Sequence, residues 1–280
     1  QQNTYNAVMK LDSNELDEVV VIGYGTAKKS DVTGALVSVG SEELMNQPVN
    51  NAFEALQGKA AGIDITSNQR PGEIGDVRIR GSRSLTASND PLYVVDGIMV
   101  SNIQNISPSD IASVDIMKDA SSAAIYGSDA ANGVVLITTK SGKSGKAKIK
   151  VESFYGAKSV LNPVEMANGQ EYINYFNEKQ TSTGGSYQLS PNQAYDTDWY
   201  DELIGTAFSN NNNVAISGGS ENVDYFFSVN NYNEDGLLKD QRYNRTTIRT
   251  NNTFKLFEGR LKLNSLSFSS STSKYIGSTL

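Results

Sequence analysis

Cysteine and histidine are both absent from this 280-residue chain. The first absence excludes disulfides, thiolate metal sites and cysteine nucleophiles. The second removes the commonest general base and metal ligand, so no Ser-His-Asp triad can be assembled. Neither absence fixes the compartment. No apolar run approaches the roughly 20 residues that a membrane helix needs. Membrane β-barrels carry a much fainter, alternating signal, so they stay open. Cations are in the minority, with 24 Lys and Arg against 31 Asp and Glu, a net charge of −7. Phosphate contacts need clustered cations, so nucleic acid is excluded as a partner. No signal peptide is visible from Gln1, and a mature or trimmed chain is expected.

The residues that are present favour strands. Tyr accounts for 14 of the aromatics, Asn and Ser crowd the second half, and only 38% of residues are hydrophobic. That composition suits β-hairpins with one wet face better than a thick apolar core. The stretch from Leu16 to Lys28, LDEVVVIGYGTAK, is the sharpest local signal. An acidic lead-in runs into Val19, Val20, Val21 and Ile22, then meets Gly23 and Gly25. Branched apolar residues in a row predict a strand. Such a strand ahead of a compact region can pair with a partner's sheet edge.

The pattern changes near Lys146. Before it, the residues predict a small α+β unit with a mixed sheet. Strands are expected at 62–66, 76–80, 92–95, 114–117 and 134–139. A helix is expected at 50–57, capped by Asn50 or Asn51 and stopped by Gly58. Ser107-Pro108-Ser109-Asp110 reads as another helix start. A third helix is expected from Asp119 to Tyr126, closed by Gly127.

After Lys146 the period becomes two. Ile149, Val151 and Tyr155 share one face, as do Val214 and Ile216. Val223, Tyr225, Phe227 and Val229 oppose Asp224, Ser228 and Asn230. Ile248, Phe254 and Leu256 oppose Arg249, Asn251 and Lys255. In the last strand, 261–269, the apolar phase slips between Leu263 and Leu266, which suggests a bulge. The connections run long (157–212), short (218–222), intermediate (234–243) and short (258–260). Short turns on one side and long loops on the other are the mark of a transmembrane barrel. Five strands cannot close, so a fragment of a larger barrel is expected.

Taken in series, these segments resemble the SusC/RagA-type family of TonB-dependent outer-membrane transporters. The resemblance rests on LDEVVVIGYGT (16–26), ALQGKAAGIDI (55–65), VRIRG (77–81), PLYVVDG (91–97) and DIASVDIMKDASSAAIYGSDAANGVVLITTKSGK (110–143). Further on it rests on NNVAISGGSENVDYFFSVNNYNEDG (212–236) and YNRTTIRTN (243–251). It implies an α+β plug domain inside a transmembrane β-barrel of about 22 strands, incomplete in this chain. It implies a bacterial outer-membrane location and import of oligosaccharides, less often peptides. The implied partners are the TonB-ExbB-ExbD complex, a SusD-like surface lipoprotein, the glycan substrate and outer-membrane lipid. The organisation expected is a remnant of a preceding region at 1–15, a TonB box at 16–28, a plug at 29–146 and barrel strands at 147–280. The domain that often precedes the box in that family is expected to be absent, unless Tyr5 to Leu11 is its last strand.

Within that frame, Asp17, Glu18, Val19, Val20, Val21, Ile22 and Gly23 are the expected TonB box. Arg78, Arg80 and Arg83 are expected at plug–barrel contacts, against carboxylates of the wall; a solvated strand face is the alternative. The long connection carries Tyr172, Tyr175, Phe176, Tyr187, Tyr195, Trp199 and Tyr200. These could stack on a ligand, dock a lipoprotein, or form an interfacial girdle. Gly23-Tyr24-Gly25 invites a dinucleotide reading, but Lys28 stands where the third glycine belongs and no helix follows. Asp90 and Asp96 flank a strand, and Asp96-Gly97 is a turn signal; Asp119 fits a helix cap. No catalytic residue, cofactor or metal is expected, and the chain is not expected to be an enzyme. A siderophore or cobalamin receptor, or a signalling receptor, is the alternative function.

Overall fold

The computed structural model describes residues 19–22, 25–28, 36–45, 52–82, 84, 88–119, 123–192 and 196–277. Of the positions singled out above, Asp17, Glu18, Gly23, Asn50, Asn51, Arg83 and Tyr195 lie outside the described residues, as does the 1–15 segment.

Val19–Ile22 (β1) and Gly25–Lys28 (β2) form an antiparallel pair of their own. The plug sheet comprises Leu36–Gly40 (β3), Leu92–Val95 (β6), Ile98–Val100 (β7), Ile111–Met117 (β8) and Val134–Thr139 (β9). Its order is β3-β8-β9-β6-β7, with β6 and β9 parallel and the rest antiparallel. This is the mixed sheet that the residues predict. Short helices Ser41–Met45 (α1) and Ala52–Leu56 (α2) and the pair Ile63–Thr66 (β4) with Asp76–Ile79 (β5) complete it.

Both faces of this sheet are covered. Val135 and Ile137 pack with Leu44, Phe53, Leu56 and Ile79 on one side. Val134 and Leu136 pack with Met117, Tyr126 and Ala130 on the other. A strand buried on two faces reads as a continuous apolar run, which is why VVLITT does not alternate. Burying each large side chain contributes about 1.5–3 kcal/mol.

Two expected helices are shorter or different. Pro108–Asp110 is one 3-10 turn, and Ser107 makes no side-chain cap. The chain enters β8 at once, because Ile111, Val114 and Ile116 are needed by the sheet core. Ala124–Asn132 is 3-10 and broken at Gly127, whose φ of 74° no α-helix accommodates.

The second half is an up-and-down antiparallel sheet: Gly145–Lys158 (β10), Ala207–Gly219 (β11), Val223–Asp235 (β12), Gln241–Leu256 (β13) and Leu261–Ile276 (β14). The strands are longer than their apolar cores suggested, since Asn210 to Asn212 belong to β11. On β12, Phe226, Ser228, Asn230, Tyr232 and Glu234 are buried against the plug. Val223, Tyr225, Phe227 and Val229 occupy the opposite face by the period of two. One outward row joins Val151, Val214, Val229 and Ile248; its neighbour joins Ile149, Ile216 and Phe227. Ile149 and Val151 are about 70% exposed, at 71% and 69%. A band of this kind is a liability in water and the natural surface in lipid.

Above the band the outward rows turn polar. Ser153 Oγ donates to Asn212 (2.6 Å), Asn233 to Asn210 (2.9 Å) and Asn231 to Thr246 (3.0 Å). The slip in β14 is not a bulge. Its pairing with β13 is unbroken, with Leu261 and Leu263 opposite Leu256 and Phe254, and Leu266 and Phe268 opposite Asn251 and Arg249. Apolar residues therefore sit on both faces of β14.

The depth of the band can be tested. Ile216→Arg in the full-length protein is expected to cost about 2–4 kcal/mol in liposomes, and Asn231→Arg in the polar rows about 0–1 kcal/mol. Denaturant unfolding from vesicles reads both. Equal losses at the two positions would remove the lipid band.

Candidate functional site

The inward face of β13 presents Tyr243, Arg245, Thr247 and Arg249 at every second position, all buried. These side chains, with the inward face of β12, meet the plug along a continuous polar seam. Arg249 reaches furthest. One terminal nitrogen donates to the Lys140 carbonyl (3.0 Å), the other to the Thr139 hydroxyl, and Asp96 lies 3.8 Å from it. The guanidinium also sits 5.1 Å from the centre of the Phe226 ring. Asp96 is held in turn by the Thr139 backbone N–H (2.9 Å) and the Thr139 hydroxyl.

The local sequence explains that placement. Asp96 and Gly97 both have positive φ (48° and 87°) and close the β6–β7 hairpin as a two-residue turn. Asp-Gly is the pair that such turns favour. The turn residue that the sequence marks is thus also a seam residue.

Further along, Arg245 donates to the Gln104 carbonyl and stacks over Tyr232 at 5.5 Å. Thr247 donates to the Asn105 carbonyl (3.4 Å). Glu234 accepts the Gly72 backbone N–H (3.0 Å) and pairs with Lys158 (3.2 Å). At Gly72, φ is 69° and a Cβ would run into the Tyr243 ring, so only glycine lets this loop lie on the wall. Lys274 of β14 pairs with Glu73 at 2.6 Å.

The electrostatics follow from burial. Asp110 is almost completely enclosed, and loss of solvent pushes its carboxyl up; Ser228, Arg249, Lys140 and Arg245 oppose that rise. Burial likewise pushes the Lys140 ammonium down. Lys140 donates to the Ser109 carbonyl at 2.6 Å. The Lys274 hydrogen bond holds Glu73 below the usual carboxylate range.

Of the expected arginines, Arg78 and Arg80 lie among the described residues. Arg78 bonds Ser82 (3.0 Å) and Asp76 (3.5 Å), and Arg80 bonds Asp119. All these partners belong to the plug. The guanidiniums seen at the seam come from the wall instead, and the carboxylate beside Arg249 comes from the plug. Arg245 carries the same sequence signal, since it shares the phase of Arg249 four residues on.

The long connection, 159–206, carries the helices Gly169–Ser182 (α3) and Trp199–Leu203 (α4). Asn168 and Glu171 form a capping box at α3. Phe176 stands between Tyr172 and Tyr187, at 6.3 and 6.2 Å. Trp199 and Tyr200 open α4. Tyr187 and Trp199 are about two-thirds exposed, at 66% and 61%. The connection is tied to the β12–β13 loop by Gly205 N–H to Leu237 O (2.9 Å) and Lys239 N–H to Leu203 O (2.8 Å).

A cleft of about 390 Å³ opens on the plug among Asp76, Asp90, Tyr93, Asn102, Gln104 and Asp129. It lies where β6 and β9 begin. That is the end away from Thr139, which leads to β10 on the short-turn side. Burial pushes the Tyr93 hydroxyl well up.

Comparison with known proteins agrees with this architecture. Residues 28–134 match the TonB-dependent Receptor Plug Domain family. The chain is 42% identical over 263 residues to TonB-dependent receptor P26 of Formosa agariphila, covering 91% of this chain and 27% of that protein. It is 37% identical over 270 residues to TonB-dependent receptor SusC of Bacteroides thetaiotaomicron, covering 92% and 26%. The RagAB peptide importer in its open-open state superposes with a TM-score of 0.80 at 29% identity, covering 92% and 32%. The chain therefore spans about a quarter of the length of these curated relatives.

These residues are a TonB-dependent receptor plug followed by antiparallel strands of an outer-membrane β-barrel. Such proteins are transporters and receptors, not enzymes. Within that class, the chain belongs to the SusC/RagA type.

Proposed function

We propose that the protein containing this chain imports nutrients across the outer membrane in a TonB-dependent manner, with oligosaccharides as the main cargo and peptides as the lesser one. The carrying observation is a plug seated by buried arginines against lipid-facing strands, a gate inside a wall. No bond in the cargo is made or broken. The β1 strand, within Asp17 to Gly23, pairs with TonB by strand addition, backbone bonds giving affinity and side chains giving register. TonB, driven by ExbB and ExbD, then remodels the plug.

The domain reading is kept in the same form: box at 16–28, plug at 29–146, barrel from 147. Arg78, Arg80 and Arg83 are proposed to meet wall carboxylates in strands beyond β14. Tyr187, Tyr195, Trp199 and Tyr200 are proposed to face a SusD-like lipoprotein or the cargo. The likeness to SusC and to RagAB supports both cargo classes. The plug cleft supports the saccharide, since Tyr93 offers a ring face and Asn102 and Gln104 offer amides.

The test is uptake. Cells carrying the full gene should accumulate labelled neutral oligosaccharides, and accumulation should stop when the gene or the proton gradient is removed. Uptake of a ferric siderophore or cobalamin instead of either cargo would overturn this reading.

A further inference from the structure

We infer that β2 is a built-in competitor of the partner strand: it occupies one edge of β1 and limits how often the coupling segment can be engaged. The inference rests on the coupling role proposed above for Asp17 to Gly23, and it adds a second component, Gly25 to Lys28, to that role.

The pairing is explicit. Val19 faces Lys28, Val20 faces Ala27, Val21 faces Thr26 and Ile22 faces Gly25. Among the described residues this is a sheet of two strands, separate from the five-stranded plug sheet. Each strand has four residues. In an antiparallel ladder, successive residues send their N–H and C=O groups to alternate edges. With β2 in place, the outer edge of β1 therefore offers the bonding groups of only two of its four residues. The edge that carries the groups of the other two is taken by β2. With β2 removed, the second edge of β1 is available as well.

The opening is cheap. A two-stranded hairpin is marginally stable in water, and among the described residues no third strand is hydrogen-bonded to this one, though β1 runs close to β9. A segment that is competent for only part of the time binds with its affinity reduced by that fraction. The partner surface implied is an open sheet edge that accepts one extended strand, and β2 occupies the place of that edge.

The test uses the full-length transporter in detergent and the periplasmic C-terminal domain of TonB, titrated by fluorescence anisotropy. Proline removes a backbone N–H. Of Thr26→Pro and Ala27→Pro, one strikes an N–H directed at β1 and the other an N–H directed away. The first should tighten TonB binding about 3- to 10-fold, as expected if β1 is competent about 10–30% of the time; the second should bind more nearly as wild type. If neither tightens binding while Val20→Pro or Val21→Pro abolishes it, the coupling role stands and the competitor role falls. If Val20→Pro and Val21→Pro both bind as wild type, the coupling role fails and this inference fails with it.

Discussion

Replacing Arg249 with alanine is expected to weaken the seating of the plug by about 3–5 kcal/mol, the usual loss when one partner of a buried charge pair is removed. The side chain is 2% exposed, and among the described residues its polar contacts are to the plug. Without it, Asp96 loses its cation, Thr139 loses a donor, and Asp110 loses a charge that opposes its desolvation. Arg249→Lys should recover part of the loss, because one ammonium cannot reach Thr139 and Lys140 as a planar fork does. The Arg249→Ala, Asp96→Ala double variant should lose less than the two single variants added together. Calorimetric unfolding of the full-length protein reads the stability, and entry of a large hydrophilic antibiotic into cells reads the gate. Additive losses with an intact permeability barrier would show that the pair is incidental.

Deletion of Asp17 to Gly23 is expected to abolish uptake and leave binding of cargo at the cell surface unchanged. The deletion leaves in place every residue of the two core clusters, which are drawn from Leu36 to Ile137. The two readouts must therefore separate, with accumulation lost and surface affinity kept. Full accumulation by the deletion strain would end the coupling role of this strand.

The legible part of the fold was the part written in side-chain periodicity. The alternation from Val223 to Val229 gave the orientation of β12, and the Asp96-Gly97 pair gave the hairpin turn. Three features were hidden, each for a physical reason. The polar ends of the strands, such as Asn210 to Asn212, look like loop because their outward residues contact neither core nor lipid. The 107–110 helix start was overruled by tertiary demand, since the core needed Ile111 in a strand. The identity of the seam was hidden most deeply. The glycine-flanked plug arginines draw attention in the sequence, yet the seam is made by Arg245 and Arg249, which look like ordinary wet-face residues until the opposing surface is known. Tyr172, Phe176 and Tyr187 were visible as aromatics, but their clustering required α3.

The change from valine and isoleucine to asparagine along the outside of β11 and β12 has a consequence for the entrance. The six positions from Asn230 to Asp235 continue the wall beyond the last aliphatic row. At 3.3 Å per residue and a tilt near 40°, they lift the rim by about 15 Å. Cargo is thus admitted at a height well clear of the hydrocarbon, level with the headgroup sugars of the outer leaflet. Amides that bond one another make up part of this collar, with Tyr155, Phe208 and the Asp235–Arg242 ion pair on the same outward face, so molecules arriving from the side meet a mixed polar and aromatic rim before the acidic, aromatic segment that crowns it.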